Sequence, residues 1–171
     1  MAAEYIYDKE YNNIIFSQYE ISQKEYENCV FNHCDFSACN FTGTAFVDCT
    51  FHFCNFKEAK IGHVGLRNVQ FNDCDFTSVN FAMTDQIIYE FHFKGCKLDY
   101  VQFYDLKLRG MSFVDCSMVS VDFMQSDLTE ALFDNCNLHL AVFSDAIANK
   151  TDFYSSYFFS IDPEKKKKKK A

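Results

Sequence analysis

Large apolar residues recur at every fifth position along this chain. One run is Phe31, Phe36, Phe41, Phe46, Phe51, Phe56, Ile61, Leu66, Phe71, Phe76 and Phe81. A second is Phe93, Leu98, Phe103, Leu108, Phe113, Met118, Phe123, Leu128, Phe133, Leu138, Phe143, Ala148, Phe153 and Phe158. Of these 25 centres, 17 are Phe. Phe16, Ile21 and Tyr26 extend the first run upstream less regularly, and Ile88 opens the second. Two residues before each centre stands a second, mostly small residue. All nine cysteines fall in that slot: Cys29, Cys34, Cys39, Cys49, Cys54, Cys74, Cys96, Cys116 and Cys136. Elsewhere it holds mostly Ala, Val, Thr or Ser, as at Thr44 and Ser126, with Leu106 and Met111 among the larger exceptions.

Charge avoids both slots. From Cys29 to Ile161 there are 24 charged residues in 133 positions, and the two slots take 50 of those positions. Random placement would put about nine charges in them, yet they hold none, because an unpaired buried charge costs too much. The two slots are therefore inner lines. A period of five matches neither an amphipathic helix nor a half-buried strand, and it is not a heptad. It fits a solenoid whose wall turns a corner every five residues.

Composition supports one regular core: 171 residues with 21 Phe, no Trp and a single Pro read as one domain that reuses one residue type. The formal net charge is −8, but up to Ile161 there are 22 acidic and 10 basic residues, a body charge of −12. Such a body repels phosphates and excludes direct binding of DNA or RNA; it favours a basic partner surface. The N-terminus has no basic region followed by an apolar one, and no apolar run approaches the roughly 18 residues of a membrane span. The chain reads as cytoplasmic, with reduced thiols and no membrane contact.

Candidate chemistry is sparse. The cysteines lack the paired spacing of a zinc site, and buried thiols pack well as small apolar groups. His33, His52, His63, His92 and His139 all fall in outward slots, with no Cys or carboxylate at ligand spacing, so neither metal nor cofactor is expected. No hydrolase, zincin, P-loop or dinucleotide motif occurs, and a Phe-filled core leaves no substrate cavity. The chain does not read as an enzyme, and no catalytic residue is assigned.

Nine local units share one form: Cys34-Asp35-Phe36, Cys39-Asn40-Phe41, Cys54-Asn55-Phe56, Cys74-Asp75-Phe76, Val79-Asn80-Phe81, Val121-Asp122-Phe123, Ser126-Asp127-Leu128, Cys136-Asn137-Leu138 and Thr151-Asp152-Phe153. A small residue, then Asn or Asp, then Phe or Leu resembles the pentapeptide-repeat family. The resemblance covers roughly residues 14 to 161. It implies an all-β, right-handed quadrilateral parallel β-helix with four pentads per coil. Residues twenty apart would then be vertical neighbours, giving ladders such as Phe31, Phe51 and Phe71, or Phe103, Phe123 and Phe143. The cysteines would form two ladders, Cys34 to Cys74 and Cys96 to Cys136.

The phase slips once, since Phe81 and Ile88 are seven residues apart. The expected organisation is a single repeat domain over 1–161. Within it, residues 1–25 cap the coil, 26–81 form a first block, 82–87 the break and 88–161 a second block. Lys24 occupies an inward slot by phase, so the regular coil is expected only from about Cys29. Residues 162–171, with the run Lys165 to Lys170, read as a disordered or appended tail.

Within the family the chain resembles the quinolone-resistance-like branch: a compact Phe-rich coil, an acidic body, one mid-chain break and the closing Ile161-Asp162-Pro163. That resemblance implies a DNA-mimicking protein that binds DNA gyrase or topoisomerase IV and protects it from quinolones or related toxins. The candidate acidic contacts are Asp105, Asp122 and Asp145 on one face and Asp115, Asp134 and Asp152 on the next, with Asp85 as a loop contact. Phe153, Tyr157, Phe158 and Phe159 are the candidate homodimer contacts in the last coil. Two readings stay open for the carboxylates: a solvated surface, or a charge pattern that imitates duplex phosphates. The alternative function is a structural or scaffolding solenoid with another protein partner.

Overall fold

The computed structural model describes residues 2–82, 84 and 89–157. Its regular elements are ten strands: β1 (Glu4–Tyr7), β2 (Glu10–Asn12), β3 (Lys24–Glu27), β4 (Val30–Asn32), β5 (Ala45–Val47), β6 (Thr50–His52), β7 (Gly65–Asn72), β8 (Tyr89–Lys94), β9 (Ser112–Val114) and β10 (Leu132–Asp134). Among the described residues no helix is long and apolar enough to cross a membrane. Every strand pairing is parallel, and all but that of β7 with β8 keep a register of twenty residues per coil: Glu4 opposes Lys24, Phe31 opposes Phe51, and Phe113 opposes Phe133. Single bridges continue the walls between strands, as in Asp35, Asn55 and Asp75. The result is the right-handed, four-sided coil that the family resemblance implies.

Corners repeat as regularly as the walls. In many pentads the amide three residues after the start closes a four-residue turn, as Ala59 does on Phe56 O at 2.8 Å. The third residue of such turns is left-handed, for example Glu58 (φ 65°) and Gln125 (φ 61°). That conformation costs a side-chain-bearing residue about 1–2 kcal/mol, and the stacked walls supply it at each corner.

We number the four faces by the centres they bury. Face 1 carries Tyr11, Phe31, Phe51, Phe71, Phe93, Phe113, Phe133 and Phe153, stacked ring on ring with centroids 4.7–5.6 Å apart. Face 2 stacks Phe16, Phe36, Phe56 and Phe76 at 4.5–4.9 Å, then Leu98, Met118 and Leu138. Face 3 carries Ile21, Phe41, Ile61, Phe81, Phe103, Phe123 and Phe143. Face 4 carries Tyr26, Phe46, Leu66, Leu108 and Leu128. Rings on neighbouring faces meet edge to face, as Phe31 and Phe36 do at 68°. Stacked and edge contacts each add about 0.5–1.5 kcal/mol beyond area burial. The aromatic order is interrupted at Ile61, Val64 and Leu66, where aliphatic chains border a small void with Phe41, Phe56 and Phe81.

The phase slip does not divide the core. Across it the register lengthens to 22 residues, so Phe71 opposes Phe93 and Asp75 opposes Lys97. Within β7 the register changes by one further residue, from an offset of 23 at Leu66 and Tyr89 to 22 at Val69 and Phe91. Phe91 then fills a small-residue slot with a full ring, stacked on Phe81 at 5.6 Å. The two cysteine ladders accordingly become one column: Cys34, Cys54, Cys74, Cys96, Cys116 and Cys136, all buried free thiols.

The coil also begins earlier than its phase suggested. Strands β1 and β2 pair in register with β3 and β4, and Phe16 and Ile21 are buried. Lys24 does occupy an inward slot but stays half-buried, with Nζ 3.6 Å from the Glu4 carboxylate in the coil below. Its long side chain lets the ammonium reach solvent and a partner at once.

The small-residue slot has a polar role as well. Cys54 Sγ points at Phe31 O (3.4 Å), one coil earlier, and Cys49 Sγ at Tyr26 O (3.4 Å). Thr44 donates to Ile21 O at 2.9 Å and Ser126 to Phe103 O at 2.7 Å in the same way. This is why two hydroxyls can be buried in an apolar core.

Candidate interaction surface

The second residue of each repeat unit serves the coil before it serves any partner. In all nine units the Asn or Asp accepts, through Oδ1, the amide two residues on, at 2.8–3.1 Å. Asp122 holds Met124 N at 2.8 Å and Asp152 holds Tyr154 N at 2.9 Å. A short polar side chain suits that place because Asn and Asp reach back to form this turn more readily than other residues. Asp127 adds the Thr129 hydroxyl at 2.6 Å and Arg109 Nη1 at 3.1 Å. Burial works against its charge, but the Thr129 contacts and Arg109 outweigh it and hold the carboxyl below the usual range.

The other candidate carboxylates stand at corners or beside them. Asp105 (φ 56°), Asp115 (φ 53°) and Asp145 (φ 57°) are left-handed, a conformation Asp tolerates better than most residues. Asp134 lies on the wall of face 1 and accepts from Ser155 Oγ at 2.7 Å.

Vertical order interleaves carboxylates with amides. One corner column runs Asp8, Asn28, Asp48, Asn68, with Asn28 Nδ2 on Asp8 Oδ1 and Asn68 Nδ2 on Asp48 Oδ1, both at 2.7 Å. Another pairs Asn135 with Asp115 at 2.8 Å. Asp35, Asn55 and Asp75 follow the same rule on a wall, and Asp105, Gln125 and Asp145 at a corner. Carboxylates in one column are therefore two coil spacings apart, about 10 Å. One strand of duplex DNA places a phosphate every ~3.4 Å of axis. The columns do not reproduce that spacing.

The two candidate acidic sets lie on opposite sides, not on adjacent faces. Asp105, Asp122 and Asp145 belong to face 3 and its corner; Asp115, Asp134 and Asp152 belong to face 1. Ten residues, the offset between their centres, is half a coil. Face 3 is the more one-sided surface. Its stretches 99–105, 119–125 and 139–145 hold four carboxylates and neither Lys nor Arg. Tyr100, Tyr104, Leu140 and Val142 are exposed beside them. Tyr104 is anchored by its hydroxyl to Gln125 Oε1 at 2.9 Å. Face 1 is mixed by comparison, because Arg109, Lys150 and Lys94 flank its carboxylates.

Phe153 is half-buried on Phe133, and Tyr157 is exposed and bridges to Asn137. Asp85, Phe158 and Phe159 lie outside the described residues. His33 stacks on the exposed Phe53 ring at 4.9 Å, and His52 faces Asn72. Among the described residues no three His, Cys, Asp or Glu side chains are grouped to hold a metal ion.

Comparison with known proteins agrees with this geometry. The pentapeptide repeat region family matches residues 86–158, and the nine-copy pentapeptide repeats family matches residues 36–80. The gap between the two matches, residues 81–85, falls in the stretch where the phase slips. No curated protein matches the chain. Among solved structures, a trypsin-treated variant of QnrB1, a plasmid-mediated fluoroquinolone resistance protein, aligns with TM-score 0.50 at 17% identity, over 95% of this chain and 86% of that one. HetL, a pentapeptide repeat protein involved in heterocyst differentiation regulation in the cyanobacterium Nostoc sp. strain PCC 7120, aligns with TM-score 0.49 at 10% identity, over 88% of each chain. With its repeat units, its twenty-residue coil and both family matches in register, the chain belongs to the pentapeptide-repeat family.

Proposed function

We propose that this protein is a non-catalytic interaction protein that docks a basic protein surface through face 3 of its C-terminal half. The partner we assign, by resemblance to the quinolone-resistance-like branch, is DNA gyrase or topoisomerase IV, which the protein protects from quinolones. The observation that carries the reading is the composition of face 3: four carboxylates, exposed Tyr and aliphatic side chains, and neither Lys nor Arg. Such a surface attracts a partner rich in Lys and Arg and offers it apolar contact as well. Attraction here depends on field and contact, since the column spacing differs from that of phosphates. The setting is the cytoplasm, and the last coil around Phe153 and Tyr157 is the proposed homodimer contact.

Supercoiling by purified gyrase, titrated with the protein with and without a quinolone, tests this. Rescue under drug supports protection, and inhibition alone supports binding without protection. In either case the triple variant Asp105→Asn, Asp122→Asn, Asp145→Asn should lose most of the effect, and more so at low salt. Unchanged behaviour of that variant removes face 3. No effect of the wild-type protein on either enzyme favours a scaffolding role, in which the Asn and Asp residues serve only their turns.

A further inference from the structure

Face 1 carries a second piece of chemistry, between β8 and β9. Ser112 Oγ lies 2.8 Å from His92 Nδ1, and the Ser112 amide lies 3.1 Å from the same nitrogen. An amide N–H can only donate, so Nδ1 is an acceptor and the imidazole proton sits on Nε2. His92 Nε2 faces Glu90 Oε1 at 3.7 Å. The imidazole is thus fixed in one tautomer, with its basic nitrogen on a serine hydroxyl and its N–H toward a carboxylate. Nucleophilic serines are activated by this ordering of groups. His92 and Ser112 are half-buried, which holds the geometry, while Glu90 is exposed and leaves the site open to reagents.

We infer that Ser112 is a covalent modification site, an activated serine that takes an acyl group from activated acyl donors such as aryl esters or thioesters. Ser112 Oγ forms a bond to the donor's carbonyl carbon while its proton passes to His92 Nδ1. The donor's C–O or C–S bond breaks, and the proton on His92 goes to the departing oxygen or sulfur. Acyl-Ser112 and a free alcohol or thiol result, with no net redox change. Glu90 stabilises the transient imidazolium. The charged residues of the three strands around it are Arg67 on β7, Glu90 and Lys94 on β8, and none on β9; Gln70, the strand neighbour of His92 on β7, is neutral.

The test uses the full chain and p-nitrophenyl acetate, with nitrophenolate release followed in time and the acetyl group located by peptide mass spectrometry. Acetyl is expected on Ser112. His92→Asn keeps an acceptor for the Ser112 amide and removes the base, so labelling should slow about 10²-fold. Glu90→Gln should slow it by a smaller factor, and Ser112→Ala should abolish it. Thermal melts confirm that each variant is folded. If His92→Asn does not fold, carbethoxylation of His92 in the wild-type chain replaces it, and should block acetylation. Acetyl found only on lysines and the N-terminus, or on Ser112 at an equal rate without the base, overturns the proposal.

Discussion

Asn28 donates to Asp8 one coil below it at 2.7 Å, so a neutral amide stands where a third carboxylate would otherwise join the column of Asp8 and Asp48. Replacing it by Asp would stack like charges one coil spacing apart, about 5 Å. Asn28→Asp should lower stability by about 1 kcal/mol at neutral pH. Urea unfolding at low and high salt checks this, since salt and acid should both restore most of the loss.

Gly95 stands above Asp73 at a left-handed corner (φ 66°), and a Cβ there would lie 2.3 Å from Asp73 Oδ1. Gly95→Ala should cost about 1–2 kcal/mol from backbone conformation alone, plus the displacement of Asp73. Adding Asp73→Ala should recover only the steric part. Full recovery in the double variant would mean that the corner carries no conformational cost.

Core substitutions separate the ring columns from the aliphatic gap. Phe113→Ala removes a ring stacked between Phe93 and Phe133 and should cost about 3–5 kcal/mol. Ile61→Phe places a ring between Phe41 and Phe81 beside the void and should stabilise the protein by about 1 kcal/mol. A loss of stability in Ile61→Phe would show that the void is too small to take a ring.

Asp127 sets an acid limb. A carboxyl held low in the folded protein contributes stability that is present above its unfolded pKa of about 3.9. That contribution disappears as the pH falls through the folded value. Asp127→Asn keeps the turn acceptor but loses Arg109. Its stability should therefore fall less steeply than wild type below about pH 4, measured by unfolding across that range.

The thiols set the opposite limb. Burial pushes Cys39 up to about 11 and Cys49 up to about 12. Unfolded thiols ionise near ~8.5, so this contribution is complete below that pH and is lost as the pH rises toward the folded values. Between about pH 8.5 and 10, before tyrosines add to the effect, Cys49→Val should show a flatter decline than wild type.

Much of the fold was written in the sequence because a single rule, two inward slots in five, repeats through it. Phe31 and Phe71 could be placed on one face by counting. The route through the slip could not, because the two extra residues hide which neighbour Phe71 finds; stacking on Phe93 decides it, 22 residues on. The start of the coil was not legible at Lys24, since periodicity cannot show that its ammonium will meet Glu4. The acidic sets were visible as residues but not as sides, and half a coil separates Asp122 from Asp152 in angle. The contact of His92 with Ser112 was illegible for another reason: both occupy outward slots that the repeat leaves free to vary.

Ring stacking at 4.5–5.6 Å in the core also fixes the rise from one coil to the next. Outward residues inherit that rise whatever their chemistry. Divergence can therefore change which charge or apolar group stands at each point of the surface, but not the distance between points. A partner that has come to match this lattice can be gained or lost one residue at a time, with no need to rebuild the scaffold. That separation lets a repeat solenoid keep one architecture while the chemistry of its surface changes freely.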